Sequence, residues 1–141
     1  MKDYLRISGK TAIVTGAAKG IGFGIAKERA SYGVKVMLCD IDDETGMKST
    51  EMIRSEGGTA EFCHMDIFLV EDVKRVVQET LKAFGKIDIL VNNVGGGEPG
   101  KRFEEISDEA WDKYIRFNLY GAFYMTREVF PHICLLYTSD A

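Results

Sequence analysis

The chain has 141 residues, 45% of them hydrophobic and 28% charged, the proportions of one soluble globular domain large enough to bury a real core. A formal net charge of -4 with no basic run excludes nucleic acid and an anionic membrane surface as partners. The opening residues, Met1-Lys-Asp-Tyr-Leu-Arg, carry charge where a signal peptide needs an apolar core, and no run approaches membrane-spanning length, so a cytoplasmic protein is expected. Cys39, Cys63 and Cys134 follow no metal-ligand spacing, and two of them lie inside apolar runs, which predicts reduced core thiols.

In chain order, Thr11 to Val14 is a short apolar, partly β-branched run, as expected of a strand covered on both faces. It breaks into Thr15-Gly16-Ala-Ala-Lys19-Gly20-Ile21-Gly22. Spaced glycines permit a sharp turn, a close backbone approach to a pyrophosphate, and tight packing of the following helix on its strand. An anion would sit at the helix N-terminus, where free N–H groups and the dipole favour negative charge. Ile21, Ile25, Ala26, Arg29 and Ala30 then give a short helix with an apolar face, stopped at Gly33.

A second strand, Val34 to Cys39, ends on Asp40, and Asp42 is positioned as the N-cap of a mostly solvated helix over 43–56. A third strand, Thr59 to Met65, ends on Asp66. Val73, Val76, Val77, Leu81 and Phe84 fall at helical spacing, with Gly85 just past the end. A fourth strand, Ile87 to Val91, runs into Asn92-Asn93-Val94-Gly95. Ser107 then caps a long helix reaching Pro131, with Asp108 and Glu109 in its first turn where the dipole favours acids.

Strand and helix alternate four times, without an internal repeat or low-complexity linker. That order predicts an α/β fold: a doubly wound parallel sheet with right-handed crossovers and helices on both faces. Ligands of such sheets bind outside the carboxyl ends of the strands, and Gly16 to Gly22, Asp40, Asp66 and Asn92 to Gly95 all fall there. On the last helix Trp111, Ile115, Asn118, Ala122, Met125 and Val129 form one stripe, with Asn118 its single polar member. Ala110, Tyr114, Phe117, Gly121 and Tyr124 make a neighbouring face apolar too, so this helix is expected to pack on its sheet and on something else, such as a second subunit.

Asp40 discriminates most. A carboxylate at the tip of the second strand can accept hydrogen bonds from both hydroxyls of an adenosine ribose and would repel a 2′-phosphate, which favours NAD over NADP; alternatively it begins an acidic turn. Lys19 points the other way, because a cation there could also meet a phosphate. Asp66 could hold an adenine amino group or simply end a strand. Asn92 and Asn93 could build the floor of a cofactor site or form an Asn-rich turn. Asn118 is either satisfied by backbone or shared with a catalytic water. His64 and His132 stand without neighbouring ligands, so no metal is expected.

Thr15-Gly16-x-x-x-Gly20-Ile21-Gly22, Asp40, Asp66, Asn92-Asn93-Val94-Gly95 and Asn118 resemble, in order and interval, the short-chain dehydrogenase/reductases. The resemblance covers about Ser8 to His132 and implies a Rossmann-like three-layer α/β/α fold and carbonyl/secondary alcohol interconversion by hydride transfer. It further implies cofactor contacts from Thr15, Gly16, Lys19, Gly20, Ile21, Gly22, Asp40, Ile41, Asp66, Ile67, Asn92, Asn93, Val94 and Gly95, and a catalytic role for Asn118. Val94 stands where the family usually has alanine.

The family's serine and Tyr-x-x-x-Lys pair should follow a fifth strand, yet no Tyr-x-x-x-Lys occurs in this chain. That chemistry needs the tyrosine as acid/base at the carbonyl oxygen and the lysine to lower its pKa and hold the ribose. The expectation is therefore an incomplete NAD(P)-binding domain over residues 1–133, truncated after about four strands and inactive alone. Residues 134–141, Cys134-Leu-Leu-Tyr-Thr-Ser-Asp-Ala, abandon the helical stripe and read as a non-native tail, so Tyr137 and Ser139 are not the missing pair. The parent protein is expected to be a homo-oligomer, dimer or tetramer, through the Ser107–Pro131 helix. Its substrate would be a small carbonyl or alcohol, with a 3-oxoacyl-carrier reductase and a sugar or polyol dehydrogenase both open. The competing reading is a non-catalytic dinucleotide-binding or interaction module, whose fourth strand would then be an apolar sheet edge prone to aggregation.

Overall fold

A computed structural model describes residues 5–97 and 100–138, with side chains up to Ile133. Its strands are β1 (Thr11–Thr15), β2 (Lys35–Asp40), β3 (Thr59–His64) and β4 (Ile89–Val91). Its helices are α1 (Gly20–Ser31), α2 (Asp43–Ser55), α3 (Val70–Phe84), α4 (Asp108–Ile115) and α5 (Gly121–Thr138). The strands form one parallel sheet in the order β3-β2-β1-β4. The chain steps outward from β1 through β2 to β3 and then returns to the other side of β1, so the direction reverses between β1 and β4. That reversal opens a crevice at the carboxyl ends of these two strands.

Both faces of the sheet are covered, which is why β1 is buried along its whole length and reads as a continuous apolar run. Alternate residues supply two cores. Ala12, Val14, Val36 and Leu38 meet Ala26 and Ala30 of α1 and Ile53 of α2 on one face. Ile13, Met37, Cys39 and Cys63 meet Val73, Val76 and Val77 of α3 and Met125 and Val129 of α5 on the other. Asp42 caps α2 by accepting from Thr45 N at 3.1 Å, and Ser107 caps α4 by accepting from Ala110 N at 3.2 Å, both as the sequence predicts.

The two ends of the sheet are finished differently. On the β3 side, Arg54 Nε donates to Ala60 O and Arg75 Nη2 donates to His64 O, each at 2.9 Å, so guanidinium groups occupy carbonyls that another strand could use. On the β4 side, Ile89 and Val91 border an open groove of about 430 Å3 shared with Leu5, Ile7 and Ile25. At the amino ends of the strands, Asp88 accepts from Thr11 N at 2.8 Å and pairs with Lys86 at 3.2 Å and Lys10 at 3.6 Å, tying the start of β1 to the segment entering β4.

Three expectations need correction. Ile21, placed on the packing face of α1, is 77% exposed; the face that packs is Gly22, Ala26 and Ala30, because the helix lies too close to β1 for larger side chains. The α2 helix is less solvated than its charge suggests, since Gly46, Ser49, Thr50 and Ile53 are buried and Gly46 lies against the Phe62 ring. The single helix expected from Ser107 to Pro131 is continuous but not uniformly α: α4 passes into α5 through a π turn over Arg116–Tyr120. The wider i→i+5 turn resets the helical phase, so Met125 and Val129 are buried while Trp111, on the same predicted stripe, is half exposed. Nor does Pro131 end the helix, whose backbone continues to Thr138. The proposed tail falls on residues 134–141; its side chains, and residues 139–141 entirely, lie outside the described residues.

Two outcomes follow from this packing. In Gly22→Ala the new Cβ would meet the Gly16 carbonyl oxygen and come within 2.6 Å of Asn93 Nδ2, so urea denaturation should read a loss of about 1–3 kcal/mol. Burial pushes the Asp88 carboxyl up, but the Thr11 N–H, Lys86 and Lys10 together hold it below the ordinary carboxylate value. A depressed folded pKa gives stability that is present above the unfolded value of about 4 and lost as pH falls through the folded one. Melts from pH 7 to pH 2 should therefore show a shallower acid limb in Asp88→Asn, starting from a lower stability at pH 7.

Candidate functional site

The turn after β1 is built around backbone that only glycine adopts cheaply. Gly16 and Gly20 have φ of 63° and 61°, in the left-handed region, and a Cβ on Gly20 would face open space. Thr15 and Asn93 then join the carboxyl ends of β1 and β4. Thr15 Oγ1 accepts from Asn93 N at 3.0 Å and Val94 N at 3.2 Å, and Asn93 Nδ2 donates to Thr15 O at 3.0 Å and Gly16 O at 3.1 Å. Lys19, the extended residue before α1, makes no side-chain cap, so no side chain of its own occupies the donors at the start of that helix.

Asp40, at the tip of β2, fastens the glycine turn to α2. Its Oδ2 accepts from Ala18 N and its Oδ1 from Asp42 N, both at 3.0 Å. Ser49 Oγ completes the join by donating to Ala18 O at 2.6 Å. Of the two readings the sequence left open for Asp40, these bonds show the turn-forming one. Asp42 beside it is held below the usual carboxylate range, chiefly by its bond from the Thr45 hydroxyl and then by Thr45 N–H.

Beyond β3, Asp66 Oδ1 accepts from Phe68 N at 2.9 Å, and Leu69 N donates to Asp66 O at 3.0 Å, so Asp66 shapes the turn into α3. His64, expected to stand alone, is a correction: its Nδ1 lies 2.6 Å from Asp43 Oδ1 and its Nε2 is 3.9 Å from Asp72 Oδ2. These partners come from the starts of α2 and α3 and are distant in sequence. Among the described residues no cluster of three or more His, Cys, Asp or Glu side chains could hold a metal ion. Cys39 and Cys63, far apart in the chain, are direct register partners across β2 and β3, and both are free thiols. Burial raises the pKa of each, that of Cys39 strongly, which keeps them protonated and unreactive.

Asn92 Nδ2 donates to Thr126 Oγ1 at 3.2 Å, linking the loop after β4 to α5. Asn118 lies in the π turn and is exposed rather than buried in a core stripe. Its amide closes on the same loop: Oδ1 accepts from Gly96 N at 2.9 Å, and Nδ2 donates to Gly96 O at 2.7 Å and Tyr114 O at 2.9 Å. A Cβ at Gly95 would come within 2.7 Å of Asn118 Oδ1, so the glycine is what allows the clamp to close.

These strand ends surround a cleft of about 500 Å3. Of the predicted residues, Gly16, Lys19, Asp40, Ile41, Asp66, Ile67, Asn93, Val94 and Gly95 line it. Thr15, Gly20, Ile21, Gly22, Asn92 and Asn118 are not in its wall; the first and the last two of these support it through the bonds just described. Met65, Phe68 and Phe117 also line the cleft, and the Phe68 and Phe117 rings stack with centroids 5.7 Å apart. Sequence reasoning missed this aromatic wall, although Phe68 and Phe117 neighbour Asp66 and Asn118. It also missed Asp72, whose one signal is an acid in the first turn of a helix that lacks a polar N-cap. The cleft brings together the glycine turn at Gly16, the Asp40 and Asp66 positions, and the apolar side chains of Met65, Phe68 and Phe117.

Known proteins agree with this arrangement. The short chain dehydrogenase family matches residues 10–138. The L-fucose dehydrogenase of Oryctolagus cuniculus is 34% identical over 133 residues, 94% of this chain and 45% of that protein. An uncharacterized oxidoreductase of Thermotoga maritima is 36% identical over 134 residues, 95% of this chain and 48% of that protein. Among solved structures, a hydroxysteroid dehydrogenase from Escherichia coli superposes with a TM-score of 0.86 at 34% identity, covering 94% of this chain and 55% of that one. A metagenomic short-chain oxidoreductase in complex with NADP gives a TM-score of 0.83 at 32% identity, covering 92% and 58%. The chain spans about half the length of the curated relatives it matches. With its parallel sheet, its glycine turn and its cleft at the β1/β4 reversal, the chain belongs to the short-chain dehydrogenase family of oxidoreductases.

Proposed function

We propose that this chain forms the dinucleotide cradle of an NAD-preferring oxidoreductase that interconverts a carbonyl and a secondary alcohol. Asp40 carries the reading. Its carboxylate is held at the β2 tip by Ala18 N and Asp42 N, leaving acceptor sites for a ribose 2′-hydroxyl and a negative charge opposing a 2′-phosphate. The cradle fits the rest of a dinucleotide, because Gly20 leaves room beside an uncapped helix N-terminus and the cleft walls are apolar. A nicotinamide cofactor bound here supplies the hydride donor or acceptor. The chain's own residues bind and orient it: Lys19 and the glycine turn face the phosphates, Asp66 and Ile67 the adenine, and Asn118 fixes the Gly95–Gly97 loop.

An acid/base at the carbonyl oxygen is needed as well, and no Tyr-x-x-x-Lys occurs in these 141 residues. The open β4 edge and its apolar groove suit a further strand and helix of a longer protein, which would bring that pair and the substrate pocket. Of the substrate classes open, a sugar or polyol is favoured by the L-fucose dehydrogenase relative. A homo-oligomer is part of the same reading: Phe123 and Phe130 on α5 are 55% and 60% exposed, and Arg127 lies 5.3 Å from the Phe123 ring.

Fluorescence titration should give a Kd for NADH at least about tenfold below that for NADPH, and Asp40→Ala should narrow the gap. Equal affinities in the unmodified chain would refute the NAD assignment. Turnover of secondary alcohols by the 141-residue chain should be undetectable; measurable NADH production from L-fucose or a polyol would contradict the assignment of acid/base chemistry to residues beyond it.

A further inference from the structure

Where the cleft wall begins at Asp66, its main chain is held by a side chain outside the cleft. Helix α3 starts at Val70 after Leu69, which has no side chain able to cap it. An acid at the third position of such a helix ordinarily reaches back to the N-cap N–H. Asp72 reaches further: its Oδ2 accepts from Asp66 N at 2.9 Å, while its Oδ1 pairs with Arg75 Nη1 at 2.7 Å. Arg75 in turn donates from Nη2 to His64 O at 2.9 Å, so one carboxylate and one guanidinium grip both sides of Met65 at the end of β3. Asp72 is only 8% exposed, and its carboxylate is met by the Asp66 amide, by Arg75 and, at 3.9 Å, by His64 Nε2.

The rest of the turn is placed by packing and by its own bonds: Ile67 is buried against Gly121 of α5, Phe68 stacks on Phe117, and Phe68 N and Leu69 N donate to Asp66 Oδ1 and O. The Asp66 amide is the part that Asp72 ties, from the first turn of α3.

We propose that Asp72 is a positioning residue for the adenosine half of the bound dinucleotide, setting where Asp66 stands in the cleft without touching the ligand. The assignment rests on the dinucleotide reading above. It separates Asp72 from the glycine turn, which is fastened independently by Asn93 and Asp40.

The test is calorimetric titration of the full chain with AMP, which engages the adenosine wall, and with inorganic pyrophosphate, which engages the glycine turn alone. Asp72→Ala should weaken AMP about tenfold and pyrophosphate less than about twofold, and should speed hydrogen exchange at the Asp66 amide by at least about tenfold. Asp72→Asn keeps an acceptor oxygen and gives up the charge, so it carries the test if the alanine variant fails to fold: AMP should weaken about threefold with pyrophosphate unchanged. AMP affinity that is unchanged in a folded variant, or that falls in step with pyrophosphate, overturns the assignment while leaving the dinucleotide reading intact. A wild-type chain that takes up neither AMP nor NADH overturns both.

Discussion

The contact on which the rest depends is the close approach of α1 to the end of β1. Gly22 lies against the Gly16 carbonyl, and Asn93 Nδ2 donates into the same spot from the neighbouring strand. No side chain fits between these groups, so helix, turn and strand end form one unit. That unit sets the uncapped start of α1 beside the crevice where the sheet reverses direction. Thr15 adds the other half of the join by accepting from Asn93 N and Val94 N. A cofactor cradle at this place needs rigid backbone, and the bonds that supply it run between residues about eighty positions apart in sequence.

Around that join the carboxylates divide the work. Asp40 fastens the glycine turn to α2, Asp66 shapes a turn, and Asp72 ties the leading amide of that turn to α3. Asp88 plays a corresponding part at the opposite end of the sheet, where it holds the start of β1. Four acids in similar surroundings at the level of sequence thus serve different ends, and what separates them is which main-chain N–H each one meets. The two edges of the sheet differ likewise: arginines meet carbonyls on the β3 side, whereas β4 borders a groove lined by Leu5, Ile7, Ile25 and Arg29.

Much of this was legible in advance. Alternating apolar runs and helical spacing gave four parallel strands, because both periodicities are local, and the helix caps at Asp42 and Ser107 are local too. That Gly16, Asp40, Asp66 and Asn93 would border one cleft was legible because strand ends converge in a doubly wound sheet whatever the details. What escaped was set by tertiary contact. The His64–Asp43 pair and the Cys39–Cys63 register depend on which strands become neighbours. The π turn at Arg116–Tyr120 breaks a stripe that counts perfectly as an α-helix, and it does so where Asn118 turns to clamp Gly96. The exposure of Ile21 follows from a helix standing too near its strand, a distance that hydrophobic spacing does not encode.

The central claim is that the carboxyl ends of β1, β2, β3 and β4 make one dinucleotide site. Its most direct test is an amide-resolved NMR titration of the chain with NADH. The account predicts saturable shifts at Gly16, Ala18, Gly20, Ile41, Ile67 and Val94 together, with one common affinity. Shifts confined to the separate groove between α2 and β3, around Lys48, Arg54 and Glu61, or an absence of saturation, would contradict it.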